Sequence, residues 1–107
     1  MGLFSSFESK TIKIAMEALQ ETTNMVPENS TEYFPTPTEM KATLKENFFP
    51  EQMKASLKRD YGEAKPEYAA YHLLDIVGHL FVHNSKRDIG MWCVHASLHL
   101  GKNIPAR

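Results

Sequence analysis

The sequence predicts an all-α fold: a small bundle of about five helices with a central antiparallel C-terminal helical hairpin. Three observations predict it. Apolar residues recur at 3.6-residue spacing through the first twenty positions. Two short stretches with Met, Leu and an aromatic on one stripe follow. Two longer apolar segments near the C-terminus are joined by a short connection, which makes antiparallel neighbours.

The first helix is expected from about Ser5 to Thr22. Phe4, Phe7, Thr11, Ile14, Ala15, Ala18 and Leu19 share one face, and Lys10, Lys13, Glu17 and Gln20 lie opposite. Residues 23–38 read as a loop, because three prolines and several Asn, Ser and Thr residues break any period. Loops of that length inside a compact domain are often functional. Tyr33 and Phe34 within it either pin the loop to the core or await a partner.

An internal repeat comes next. Glu39-Met40-Lys41-Ala42-Thr43-Leu44-Lys45 recurs as Gln52-Met53-Lys54-Ala55-Ser56-Leu57-Lys58. Each copy predicts a short amphipathic helix, with Thr38 as N-cap of the first and Pro50 in the first turn of the second. Gly62 suits the second helix's stop. Two copies are too few for a solenoid. The pair reads as two similar helices on one core, with a Met-rich docking surface through Met40 and Met53 as the functional alternative. Lys54, Lys58 and Arg59 read as a solvated face with acids nearby.

Pro66 opens a helix that runs to about His83 and is apolar over most of its circumference, so it is expected at the centre of the core. The next helix is expected from Asp88, as N-cap, to about Leu100, with Gly101 as its stop and 102–107 as a tail. Gly90, Ser97 and Gly101 form an arc of small residues on it, with Cys93 at the edge. That arc suits close helix packing inside the bundle or a homodimer contact.

Composition bounds the function. At 107 residues the chain is one domain, and 42% hydrophobic with 23% charged residues excludes wholesale disorder. A formal net charge of −1 gives no nucleic-acid footprint. A single cysteine excludes an internal disulfide. No apolar run is long enough to span a membrane and no secretion signal is legible, so the expectation is a cytoplasmic protein with reduced Cys93 and no membrane partner. Met1-Gly2 followed by Ser6 fits a degenerate acylation pattern.

The histidines are the unusual feature, since all five lie between positions 72 and 99. On a helical projection His72, Asp75, His79 and His83 share an arc of roughly 80°, and Asp88, Trp92, His95 and His99 share another. Facing stripes would let His72, Asp75, His95 and His99 converge, with His79 nearby, as a site for zinc or iron. Stripes facing solvent would be ordinary polar faces. No H-E-x-x-H motif, no Glu-x-x-His pair and no glycine-rich phosphate loop is present. A Cys93–His nucleophilic pair needs a partner from across the fold, because His95 points elsewhere on the same helix.

Three functions follow as expectations. The first is a non-enzymatic interaction or regulatory protein without cofactor, acting through a helical surface on a protein partner or on a second copy of itself, with Tyr33, Phe34, Met40 and Met53 as contact residues. The second is a helical metal-binding protein, a sensor or small metalloenzyme, using the His/Asp cluster. The third is a histidine-based pH-sensitive interface, since protonating all five histidines carries the formal charge from −1 to +4.

Overall fold

The computed structural model describes residues 3–47, 52, 55, 59 and 65–104. Among them the chain is helical with no strand. Four helices are delimited: α1 (Leu3–Glu21), α2 (Pro37–Glu46), α3 (Pro66–His83) and α4 (Arg87–Lys102), with a 3-10 turn at Thr23–Met25. Of the expected second Met-Leu helix, only positions 52, 55 and 59 are described, each helical. Met53, Gly2 and residues 105–107 of the tail lie outside the described residues.

α1 buries Thr11, Ile12, Ala15, Ala18 and Leu19. The buried stripe is therefore rotated slightly from the expected face: Ile12 is in the core and Ile14 is only half-buried. Thr11 tolerates full burial because its hydroxyl donates to the Phe7 carbonyl at 2.8 Å. At the other end Thr22 donates to the carbonyls of Ala18 and Leu19, closing the last turn.

α2 starts two residues earlier than expected. Its N-cap is Thr36, not Thr38. Pro37 occupies the first turn, where a missing N–H costs nothing. The Thr36 hydroxyl accepts from the Glu39 N–H (3.2 Å), and the Glu39 carboxylate accepts from the Thr36 N–H (2.9 Å). This reciprocal capping box fixes the register, and Thr38 has no matching acid three residues on. The Thr36 backbone N–H, and then its hydroxyl, hold the Glu39 carboxyl below its ordinary value.

α3 is the central helix, burying Tyr68, Ala69, Ala70, Leu73, Leu74, Val77 and Gly78. It ends in a Schellman arrangement: the Lys86 N–H donates to the Phe81 carbonyl (2.9 Å) and the Ser85 N–H to the Val82 carbonyl (3.1 Å). Ser85 takes the left-handed conformation (φ 64°) that such a stop requires and glycine usually fills.

α4 runs antiparallel to α3, because their contacts pair in reverse order. Val82 approaches Gly90, Gly78 approaches Gly90 and Val94, and Tyr71 meets Ser97 and Gly101. A Cβ at Gly78 would lie 3.1 Å from the Gly90 carbonyl oxygen, and one at Gly90 would lie 2.7 Å from that of Gly78. The two backbones thus touch where neither residue has a side chain. The small-residue arc is consumed inside the chain and is not free for a dimer contact. Gly101 does not stop the helix. It lies against the Tyr71 ring inside α4, which ends at Lys102 with Asn103 as its C-cap.

Candidate functional site

The small arc decides where every histidine points. On α4, Gly90, Cys93 and Ser97 take the α3 side and the buried centre, and the Ser97 hydroxyl donates to the Tyr71 carbonyl at 3.0 Å. The Trp92 and His99 side of α4 then falls against α1. The Trp92 indole N–H donates to the Leu19 carbonyl at 3.0 Å, and His99 Nε2 hydrogen-bonds the Glu21 carboxylate. On α3, Tyr71, Gly78 and Val82 meet α4, while His79 and His83 are exposed and Asp75 is half-buried.

The stripes therefore do not face each other. His79 folds back on its own turn, where Nδ1–H donates to the Asp75 carbonyl at 2.7 Å and lies 3.5 Å from the Asp75 carboxylate. His72 stacks edge-on against Tyr71, with ring centroids 5.3 Å apart. Among the described residues no group of three His, Cys, Asp or Glu side chains is placed to hold a metal ion. The expected convergence of His72, Asp75, His95 and His99 fails for a definite reason. Small residues pack more closely than a row of imidazoles, so they claim the α3–α4 seam.

Cys93 is fully buried, and burial pushes its thiol up to about 12. It stays protonated at physiological pH and is not an activated nucleophile. Among the described residues no hydrogen bond pairs it with a histidine.

The partner-contact candidates separate sharply. Met40 has no exposed surface; with Leu44 it forms the face of α2 that enters the core, so it is a packing residue. Phe34 is half-buried with its ring edge-on to Trp92, centroids 5.8 Å apart, and pins the loop. Tyr33 is 78% exposed.

The loop around Tyr33 is held by contacts that local sequence patterns do not show. The Ser30 hydroxyl donates to the Asp88 carboxylate at 2.6 Å and accepts from the Glu32 N–H at 3.1 Å. The Glu32 carboxylate accepts from the Asp88 N–H (3.0 Å) with one oxygen and the Ile89 N–H (3.3 Å) with the other. Glu32 therefore caps α4 from more than fifty residues away, satisfying two of its orphan donors and placing negative charge at the positive end of the dipole. Asp88, expected as the N-cap, lies inside the first turn and binds Ser30 instead. Glu32 and Phe34 are both engaged with α4, while Tyr33 between them is left exposed.

The outer face of α4 carries Met91 (46% exposed) and Leu98 (53% exposed) at seven-residue spacing, with half-buried Val94 and His95 between them. No helix among the described residues is long and apolar enough to cross a membrane. The chain matches no family model, no curated protein and no solved structure.

Proposed function

We propose that this protein is a non-enzymatic interaction protein, recognising a protein partner or a second copy of itself through Tyr33 and the outer face of α4. The single observation that carries the reading is the presentation of Tyr33. An aromatic ring 78% exposed is flanked by Glu32, which caps α4, and Phe34, which packs on Trp92. A large amphipathic ring held on a pre-ordered loop loses little entropy on binding, which is why tyrosine is favoured at contact centres. Met91 and Leu98 add exposed apolar area on α4, the helix that Glu32 caps, and flexible methionine adapts to a partner.

The test is sedimentation equilibrium, joined to affinity capture, of the wild-type chain, Tyr33→Ala, and Met91→Glu with Leu98→Glu. Tyr33, Met91 and Leu98 belong neither to the buried core nor to the half-buried residues packed on it, so the variants are expected to keep the wild-type melting temperature. The expected result is self-association, or a defined set of captured proteins, that the variants lose. A wild-type chain monomeric to roughly millimolar concentration, with the variants capturing the same proteins as wild type, would overturn the reading.

A further inference from the structure

A second surface on the molecule is unconnected with Tyr33. Between α1 and α2 lies an open groove of about 560 Å³. Its floor is Ile12, 2% exposed, beside half-buried Met16. Among the described residues its rim carries Lys13 from α1 and Lys41 and Lys45 from α2, with Glu17 as the one carboxylate. Among the described residues, three ammonium groups against one carboxylate make this lining positive on a chain whose formal charge is −1.

Those lysines are not employed structurally. None of the three has an ion-pair or hydrogen-bond partner among the described residues. Lys41 and Lys45 sit one turn apart on the same face, a repulsive spacing that an anion between them would relieve. Lys45 suits the dipole in the last turn of α2, but Lys41 and Lys13 have no such role. Lys13 precedes Glu17 by four residues, the less favourable order for a helical pair, and the two are not bonded.

Volume and chemistry then point to one class of ligand. The groove is within the ~300–1,000 Å³ range of small-molecule sites. The lining on α1 covers about three turns, or ~17 Å, which suits an extended molecule better than a compact one. Met16 is a flexible, polarisable floor, and the aliphatic stems of the lysines add apolar wall below their charges. We propose that the α1–α2 groove binds an amphipathic organic anion, its apolar chain lying on Ile12 and Met16 and its acidic head held by Lys41, Lys45 and Lys13. The head is a carboxylate or a phosphate ester; lysine ammoniums serve both as point charges.

The test is calorimetric titration of the intact chain with decanoate, decyl phosphate, decyltrimethylammonium and inorganic phosphate, each below its micelle concentration. Both acids are expected to bind and the cationic amphiphile is not. Their order of affinity tells a fatty-acid-like head from a phosphoester head. Lys41→Glu with Lys45→Glu should weaken binding by roughly tenfold or more, Lys13→Glu should weaken it less, and Lys102→Glu on α4 should leave it unchanged. All four lysines are exposed, so these changes leave the fold intact. The proposal is overturned by absence of binding, by equal binding of the cationic amphiphile, by unchanged affinity after the double charge reversal, or by inorganic phosphate matching decyl phosphate.

Discussion

The two flanks of α4 are secured by opposite means. Toward α3, the backbones meet through Gly78 and Gly90 with Val82 and Val94 packed over them. Toward α1 and the 30–34 segment, individual hydrogen bonds hold it, from Trp92, His99, Asp88 and the Glu32 cap. The first flank is steric: every atom has a neighbour, and an added methyl must displace backbone. The second is chemical: each contact can be removed singly, at the cost of one bond. The difference locates function as well. A seam sealed by glycine leaves nothing to offer a ligand, whereas a loop held by a few polar anchors can present a side chain that the fold does not need.

Substitutions on the steric flank should have the largest effect, and they should be graded. Gly90→Ala places a Cβ against Val82 and 2.7 Å from the Gly78 carbonyl oxygen. We expect a loss of about 2–3 kcal/mol, overpacking outweighing the ~1 kcal/mol that alanine gains in a helix. Gly78→Ala, whose nearest backbone atom is 3.1 Å away, should cost less, about 1–2 kcal/mol. Gly101→Ala meets only the edge of the Tyr71 ring, at 3.0 Å, and should be neutral or stabilising by up to ~1 kcal/mol. Urea denaturation of the three variants checks the order. Equal effects at Gly90 and Gly101 would mean that the α3–α4 approach is looser than described.

On the chemical flank, Glu32→Ala removes the acceptor for two amides of α4 and should cost about 1–2 kcal/mol. Trp92→Phe, losing one hydrogen bond to Leu19, should cost about 1 kcal/mol. Tyr33→Ala should leave the melting temperature unchanged, as befits a side chain 78% exposed.

Cys93 lies between the flanks and gives a pH prediction. Its folded value, about 12, is above the ordinary 9.0, so the unfolded chain releases this proton first as pH rises. The neutral buried thiol contributes stability that is complete below pH 9.0 and lost progressively toward about 12. Cys93→Ala should lack this part of the alkaline loss in melts followed across that range. At neutral pH, iodoacetamide should label the thiol only at the rate of unfolding.

A small gain is expected at the turn between α3 and α4. Ser85 holds φ at 64°, where a Cβ is disfavoured, so Ser85→Gly should raise stability by roughly 0.5–1 kcal/mol. Thermal melts would detect it, and a destabilised variant would mean the Ser85 side chain has a role beyond the Schellman stop.

What the residue pattern made legible was local. The bounds of α3 follow from Pro66 and the long apolar run, and the structure reproduces them at Pro66–His83. The start of α2 is read one N-cap too late, at Thr38, when the reciprocal pairing of Thr36 with Glu39 is not weighed. Gly101 has the residue type of a stop, yet only its contact with Tyr71 explains why the helix continues through it. The histidine stripes show the limit most clearly. Periodicity places each side chain on its own helix, but not the rotation of one helix against another. Competition among packed faces sets that rotation, and the small arc won the α3 side. Glu32 was invisible as a cap for a related reason: its partners, Asp88 and Ile89, are far along the chain and come beside it only when the bundle closes.

The most direct test of the account is the backbone order parameter of Tyr33, measured by amide nitrogen relaxation. If Glu32 and Phe34 hold the segment as described, Tyr33 should be rigid, near ~0.85, and fall toward loop values in Glu32→Ala. A value under ~0.6 in the wild-type chain would contradict a pre-ordered Tyr33, and with it the observation on which the proposed function rests.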